Sequence, residues 1–109
     1  MSISGLHELE SIRRTPFLQK DLHLSEAEAQ RNSPAWMPAP SHGRLLAVAG
    51  AEESSEFHRQ ARLIRTTWGA RRVPVCDMLE GLNHFSILES LVQPGARLNR
   101  LALELIGSA

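Results

Sequence analysis

Two stretches of the chain are apolar enough to form strands that are covered on both faces. Residues 44–50, Arg-Leu-Leu-Ala-Val-Ala-Gly, form a nearly continuous apolar run that ends in glycine. Such a run is typical of a parallel sheet with helices on both sides. Residues 73–78, Val-Pro-Val-Cys-Asp-Met, predict another strand, with its proline near the start, where a missing N–H is tolerated. A short strand-like piece at residues 2–6 brings the predicted set to about three.

Helical periodicity follows both of the longer strands. We predict one helix over residues 55–68, another over 85–93 and a third near the carboxyl end. Their apolar faces consist of Phe57, Ala61, Ile64 and Trp68; of Phe85, Leu88 and Val92; and of Leu98, Leu101, Ala102, Leu105 and Ile106. Strands and helices that alternate in this order predict an α/β fold, with about three parallel strands and flanking helices.

The segment between the first two predicted strands has weaker signals. Residues 10–24 mix charged, proline and apolar residues without a clear period, and we expect a loop, with or without a helical turn in it. Ser25 and Glu28 form a capping-box pattern, which predicts a short helix that stops before Pro34. Residues 33–43 contain three prolines and a glycine, which is typical of a loop.

Length and composition exclude several classes of protein. A chain of 109 residues with 42% hydrophobic residues forms one domain at most, or part of a larger one, and we assign residues 1–109 to it. The 12 basic and 12 acidic side chains cancel, so the charge balance does not indicate a nucleic-acid partner. No apolar run approaches the ~18 residues of a membrane span, and no secretory signal is visible at the start. We therefore expect a cytoplasmic protein without a membrane partner.

Polar side chains follow two of the predicted strands at the point where each strand ends. Glu52 and Glu53 come after the second strand, and Asn83 and His84 come after the third. Since parallel strands end at the same edge of a sheet, we expect these side chains to lie close together. A carboxylate there can accept a hydrogen bond from one imidazole nitrogen and support the imidazolium that forms when the other nitrogen takes a proton. From the residues alone, His84 is either a catalytic base or a structural turn histidine.

The remaining candidates indicate no further chemistry. The other histidines show neither i, i+4 pairing nor an acid or cysteine cluster at the spacing of metal ligands, so we predict no metal site. No glycine-rich phosphate loop is present, and we expect no cofactor. Cys76 is the only cysteine and is expected to be a buried, inert thiol. Trp68 and Phe85 are expected in the core, and His58 at the surface or as a helix cap.

Four short motifs resemble a known family. They are Ser4-Gly5-Leu6, Asn32-Ser33-Pro34, Glu56-Phe57-His58-Arg59-Gln60 and Asn83-His84-Phe85. They occur in this order and at similar spacing in α/β-hydrolase-fold esterases. The chain resembles most the kynurenine formamidase (arylformamidase) branch and its bacterial relatives, over essentially its whole length. The resemblance implies the C-terminal part of an α/β-hydrolase fold.

The resemblance also implies roles for individual residues. His84 matches the general base of the family, in the turn after its last strand. Glu53 stands where the family has its triad acid, although many relatives have aspartate there, and Glu52 remains the alternative. Trp36 and Met37 would line an acyl pocket in a full-length relative or simply cover the core.

Two parts of such a hydrolase have no counterpart in this sequence. No serine stands in the Gly-x-Ser-x-Gly pattern of a nucleophile elbow, and no His-Gly-Gly loop supplies donors for an oxyanion. In the family these parts precede the acid and the histidine, so they would lie before Met1. The resemblance therefore implies the C-terminal portion of a serine hydrolase, without the half that carries the nucleophile.

Two functions are compatible with this interpretation. In the first, the chain is the C-terminal portion of a serine hydrolase that acts on small-molecule esters or N-formyl amides, and we expect it to be inactive alone. Alternatively, it is a non-catalytic remnant or a subunit that docks on a partner. In either case the first strand would lack a neighbour, and we expect self-association through the exposed edge of the sheet.

Overall fold

The sheet consists of three parallel strands, as predicted. A computed structural model describes residues 1–107 of the chain, so the last two residues of the predicted domain, 108 and 109, lie outside the described part. The strands are β1 (Ser2–Ile3), β2 (Leu46–Gly50) and β3 (Val75–Leu79), in the order β1-β2-β3. Because both pairings are parallel, all three strands end at the same edge of the sheet.

Helices flank this sheet and make the fold α/β. They are α1 (Glu10–Arg13), α2 (Pro16–Leu22), α3 (Glu26–Arg31), α4 (Ser55–Trp68), α5 (Ser86–Val92) and α6 (Arg97–Gly107). A short 3-10 helix, Pro34–Trp36, lies between α3 and β2. The periodicity located α4 with both of its ends, and α5 to within a residue at each end. None of the helices within residues 1–107 is long and apolar enough to cross a membrane.

The capping box ahead of α3 is present as predicted. The Ser25 hydroxyl accepts a hydrogen bond from the Glu28 amide at 3.1 Å, and the Glu28 carboxylate accepts one from the Ser25 amide at 3.2 Å. Two backbone donors at the start of the helix are satisfied in this way. The helix ends at Arg31, before Pro34, as expected.

The loop predicted for residues 10–24 is wrong, because α1 and α2 occupy most of it. Glu10 pairs with Arg13 at 2.5 Å and with Arg14 at 2.9 Å, which stabilises one short helix through neighbouring side chains. Pro16 stands in the first turn of α2, where no intrahelical N–H bond is lost. Proline in this segment therefore starts a helix and does not indicate a loop.

Two apolar clusters cover the two faces of the sheet. The first joins strand residues to α5 and α6, and its buried members are Leu46, Val48, Leu79, Ile87, Leu98 and Leu101. The second joins the other face to α4 and the 3-10 helix, and its buried members are Ala35, Ala47, Ala61, Ile64 and Val73. Alternate residues of β2 point into different clusters, which explains its continuous apolar sequence.

The predicted burial of Phe85 is wrong. Phe85 is 80% exposed, and Leu88 and Val92, which share its predicted face, are exposed as well. The buried side of α5 instead carries Ile87, with Leu91 packed against the first cluster. Since α5 has two apolar stripes, periodicity could not decide which of them meets the sheet.

Two other expected core residues are only partly buried. Trp68 packs against the second cluster, and its indole N–H donates to the carbonyls of Pro34 and Met37, both at 3.2 Å. Cys76 lies in β3, as predicted, and is partly buried. Burial raises the pKa of its thiol, so the thiol stays protonated at neutral pH.

Candidate active site

Backbone hydrogen bonds join the loops that follow β2 and β3. Gly50 and Leu79, the last residues of these strands, are register partners. Just beyond them, the Ala51 amide donates to the Leu79 carbonyl at 2.8 Å, and the Glu52 amide donates to the Leu82 carbonyl at 3.0 Å. The two loops predicted to converge at this edge therefore do so through the main chain.

Gly50 lies where these loops come closest. A Cβ atom on Gly50 would lie 2.2 Å from the Leu82 carbonyl oxygen and 2.7 Å from its carbon. Both atoms are backbone, so a side chain here would push the loops apart. Glycine at this position allows the turn before His84 to approach the end of β2.

The Glu53 carboxylate lies between three donors. Its Oε2 accepts hydrogen bonds from the Ser4 hydroxyl at 2.5 Å and from the Gly50 amide at 2.6 Å. Its Oε1 lies 2.6 Å from Nδ1 of His84. The Glu53 side chain is only 1% exposed, and with these partners its buried charge is fully hydrogen-bonded.

Glu52, the alternative acid, is placed differently. It is exposed in the turn, and within residues 1–107 no side chain or backbone donor is bonded to its carboxylate. Its contribution is the backbone amide that donates to Leu82. The structure therefore brings Glu53, and not Glu52, to His84.

Reciprocal capping at the start of α5 orients His84. Oδ1 of Asn83 accepts hydrogen bonds from the amides of Phe85 at 2.9 Å and Ser86 at 2.8 Å. The Ser86 hydroxyl accepts one from the Asn83 amide at 2.9 Å. Because the residues on both sides are held, the backbone of His84 is fixed at the tip of the turn.

The His84 ring has one occupied and one open nitrogen. Nδ1 faces Glu53, while Nε2 has no hydrogen-bond partner among residues 1–107. The ring packs against Phe57, with centroids 5.0 Å apart, and meets Phe85 edge-on at 5.7 Å. The side chain is still 53% exposed. The open nitrogen is therefore accessible to a second molecule or segment.

The charge of Glu53 determines the tautomer of the imidazole. Burial acts to raise the pKa of Glu53, but hydrogen bonds from Ser4, Gly50 and His84 outweigh it and hold the pKa below its ordinary value. The carboxylate is thus ionised at neutral pH and can only accept, so Nδ1 carries the proton. Nε2 of the neutral ring then has a free lone pair, as a general base requires.

Gln60 fixes the segment that follows β1. Its side chain is fully buried, and Oε1 accepts hydrogen bonds from the amides of His7 and Glu8, both at 2.8 Å. Its Nε2 donates to the Glu8 carbonyl and to the Glu56 carboxylate, both at 2.9 Å. Both polar atoms of the Gln60 amide are fully hydrogen-bonded. Gln60 therefore anchors His7 and Glu8, which follow the turn containing Ser4.

His58 and Arg59 tie α4 to its surroundings. Nε2 of His58 donates to the Gly50 carbonyl at 2.8 Å, so this histidine links α4 to the end of β2. It is partly buried and does not cap its helix, in contrast to the prediction. Arg59 bridges the carboxylates of Glu8 and Glu56, each at 2.7 Å. Three residues of the Glu-Phe-His-Arg-Gln motif thus support the site without belonging to it.

Sequence reasoning missed two side chains that contact Glu53 or His84, the two residues that form a hydrogen-bonded pair. Ser4 donates to Glu53 and Phe57 packs on His84, although neither had been assigned a role there. In the sequence, Ser4 stands within the strand-like piece at residues 2–6 and in the Ser4-Gly5-Leu6 motif, and neither indicates a contact with Glu53. Trp36 lines a separate cavity of about 320 Å³, with Glu10 and Arg14 among its walls.

The fold and the pair define a class: an α/β protein with a glutamate–histidine pair at the carboxyl edge of a parallel sheet. Comparison with known proteins adds a similarity to particular relatives. The chain is 29% identical over 113 residues to the kynurenine formamidase of Danio rerio, and 25% identical over 116 residues to that of Salmo salar. The similarity supports a relationship to a hydrolase family.

These alignments cover different shares of the two partners. Each includes 98% of this chain but 38% of the relative, so the chain spans about 38% of the length of the curated relatives it matches. No family model and no solved structure matches the chain.

Proposed function

We propose that this chain carries the acid and the general base of a serine hydrolase that cleaves esters or N-formyl amides. One observation carries the proposal: Nδ1 of His84 lies 2.6 Å from a buried, ionised Glu53, while its Nε2 is open to the exterior. The similarity to two kynurenine formamidases, over 98% of the chain, supports an amide or ester as the substrate.

In this reaction His84 moves a proton between two oxygen or nitrogen atoms. Nε2 takes the proton of a serine hydroxyl as the serine oxygen bonds to the substrate carbonyl carbon. The imidazolium then gives this proton to the leaving alcohol or amine as the carbonyl–heteroatom bond breaks. In the second half of the reaction, Nε2 takes a proton from water as the water oxygen bonds to the carbonyl carbon of the acyl-serine. The imidazolium then returns this proton to the serine oxygen as the acyl–serine bond breaks, which releases the acid. Glu53 stabilises the imidazolium throughout and keeps its own charge.

The serine must come from another polypeptide segment, because no serine of this sequence lies in a Gly-x-Ser-x-Gly pattern. We therefore expect the purified 109-residue chain to show no turnover of p-nitrophenyl acetate. Removal of the serine alone costs several orders of magnitude in related triads. Hydrolysis by the isolated chain that disappears in His84→Ala would contradict the proposal of an external nucleophile.

A graft into a relative tests the proposed roles directly. In the Danio rerio kynurenine formamidase, the segment that aligns with this chain is replaced by residues 1–109, and hydrolysis of p-nitrophenyl acetate and of an N-formyl amide is measured. We expect turnover that falls roughly 1,000-fold or more in His84→Ala and roughly 100-fold or more in Glu53→Gln.

Two matched controls accompany the graft. Glu52→Gln changes the neighbouring exposed carboxylate, and His42→Ala removes an exposed histidine from a loop. Both are expected to stay within about twofold of the unaltered graft, because neither side chain contacts the pair. Activity that survives in His84→Ala, or a loss in Glu52→Gln equal to that in Glu53→Gln, would refute the assigned roles.

A docking subunit without chemistry is the second candidate, and the exposed stripe of α5 favours it. Phe85, Leu88 and Val92 are 80%, 58% and 76% exposed, and the ring of Phe85 meets that of His84 at 5.7 Å. Apolar side chains grouped in this way are typical of a surface that another protein covers. A grafted enzyme that is active but indifferent to both His84→Ala and Glu53→Gln would support this role.

A further inference from the structure

Ser4 has a backbone conformation that is unusual for its type. Its φ is 53°, in the left-handed region, where a residue with a Cβ is disfavoured. It follows β1 directly, and its amide still donates to the Val48 carbonyl at 2.8 Å. The strand thus ends in a sharp turn at a serine, although Gly5 would have been the easier place for it. Such strain persists only where the surroundings impose it.

The turn directs the Ser4 hydroxyl to the acid of the proposed pair. Oγ lies 2.5 Å from Oε2 of Glu53, a residue 49 positions away in the chain. This length is typical of a hydroxyl that donates to a charged carboxylate. The Gly50 amide donates to the same oxygen at 2.6 Å. Two donors on Oε2 leave Oε1 as the oxygen that faces His84.

The surroundings hold Ser4 in this conformation from both sides. The side chains of Ser2, before Ser4, and His7, after it, are hydrogen-bonded to each other at 3.1 Å across the turn. The segment after the turn is held by Gln60, whose side chain accepts hydrogen bonds from the amides of His7 and Glu8. The strain at Ser4 is therefore maintained by contacts that have no part in the pair itself.

Resting on the function proposed above, we propose that Ser4 is a positioning residue for the pair: its hydroxyl fixes the Glu53 carboxylate so that Oε1 receives Nδ1–H of His84. The Ser4 hydroxyl bonds Glu53 and not His84, so it acts through the carboxylate. Within residues 1–107 the hydroxyl is the only side-chain donor on Oε2, since the other donor is the backbone of Gly50. The direction of the Glu53 pKa, held below its ordinary value, agrees with this role.

Nuclear magnetic resonance on the 109-residue chain tests this role without any need for activity. Long-range proton–nitrogen spectra report which ring nitrogen of neutral His84 carries the proton, and carbon spectra follow the titration of Glu53. In Ser4→Ala we expect the Glu53 midpoint to rise and the ratio of Nδ1–H to Nε2–H tautomer to fall roughly threefold to tenfold.

Two further variants separate the hydroxyl from the backbone. Ser4→Gly also lacks the hydroxyl but is relaxed at positive φ, so it should fold at least as well as Ser4→Ala and show the same two changes. Ser41→Ala removes an exposed hydroxyl that bonds His42, away from Ser4 and the pair, and should leave both readouts unmoved. Unchanged Glu53 titration and His84 tautomer in both Ser4 variants would overturn the proposal.

The grafted enzyme distinguishes this proposal from the one on which it rests. There Ser4→Ala should lower kcat about tenfold, the scale of one charge-assisted hydrogen bond, with KM unchanged. A graft that needs His84 but is indifferent to Ser4→Ala refutes the role of Ser4 alone. A graft that is indifferent to His84→Ala refutes the hydrolase, whereas the resonance readouts still report whether Ser4 orients Glu53.

Discussion

At the scale of single residues, the Glu53–His84 pair depends on backbone atoms of Gly50 that take no part in the proposed reaction. Gly50 contributes its amide to Glu53, its carbonyl to His58 and its lack of a side chain to the turn before His84. A histidine and a glutamate at two strand ends become a hydrogen-bonded pair only because the main chains meet here. The short distance between the loops is thus part of the site.

Gly50→Ala tests this dependence. The new Cβ would lie 2.2 Å from a backbone oxygen, so one loop must move, and we expect the free energy of unfolding to fall by about 3 kcal/mol. Urea denaturation measures this change. Gly107→Ala is the matched control, since a Cβ there meets no atom of residues 1–107 within 4 Å, and it should change stability by less than about 0.5 kcal/mol. Equal effects of the two substitutions would contradict the close approach.

The residues of the pair could be predicted, whereas the side chains that contact them could not. Glu53 and His84 each follow a strand with a clear apolar pattern, so their convergence follows from the parallel sheet. Their catalytic roles stay predictions. Ser4 reaches Glu53 across 49 positions, from a turn whose φ of 53° no propensity of serine indicates. Contacts of this kind arise from tertiary structure and leave no periodic pattern.

At the scale of elements, α5 shows where periodicity reaches its limit. The helix has one apolar stripe through Ile87 and Leu91 and another through Leu88 and Val92, which Phe85 extends just ahead of the helix, and only the first packs on the sheet. The capping contacts of Asn83 hold the turn from which α5 starts. For α4, by contrast, one apolar face alternates with charged residues, and both predicted ends of the helix were confirmed.

A pair of substitutions in α5 distinguishes its two stripes. Ile87→Ala removes a fully buried side chain from the first cluster, and we expect a loss of about 3 kcal/mol in the free energy of unfolding. Leu88→Ala, on the neighbouring exposed stripe, should cost less than about 0.5 kcal/mol. Denaturant titration of both variants decides the question. If Leu88→Ala is as costly as Ile87→Ala, the second stripe is covered in solution.

At the scale of the whole molecule, buried carboxylates connect stability to pH. Glu8 and Glu53 are both shielded from solvent and both have lowered pKa values. For each, burial acts to raise the pKa, but hydrogen bonds outweigh it, from Arg59 and Ser11 at Glu8 and from Ser4 and Gly50 at Glu53. The folded chain therefore releases these protons more readily than the unfolded chain.

The sign of the pH dependence follows from these lowered values. Above the ordinary pKa of 4.5 the stabilisation is fully present, and it is lost as the pH falls through the folded-state values. We expect the free energy of unfolding to drop on the order of 1–3 kcal/mol between pH 7 and pH 3. Urea denaturation across this range measures it, and the double variant Glu8→Gln, Glu53→Gln should show a shallower decline. A flat profile for the unaltered chain would contradict the prediction.

The edge of the sheet at β1 is the surface through which we propose that two copies associate. Within residues 1–107, β1 pairs with β2 alone. The Ser4 amide points to β2, so the amide of Ile3, one residue earlier, points away from it. An unpaired donor on an edge strand can bond a second copy. We expect the apparent mass in size-exclusion chromatography to rise with concentration.

Two substitutions at one position test whether the edge itself is responsible. Ile3→Pro removes the outward amide, and Ile3→Ala removes the same packing against the first cluster but keeps the amide. The proline variant should remain monomeric at concentrations where the alanine variant associates. Association that is equal in both variants would assign the contact to another surface, such as the exposed stripe of α5. A monomer at every concentration of the unaltered chain would refute self-association. It would mean that an edge strand of two residues is too short to bind a second copy.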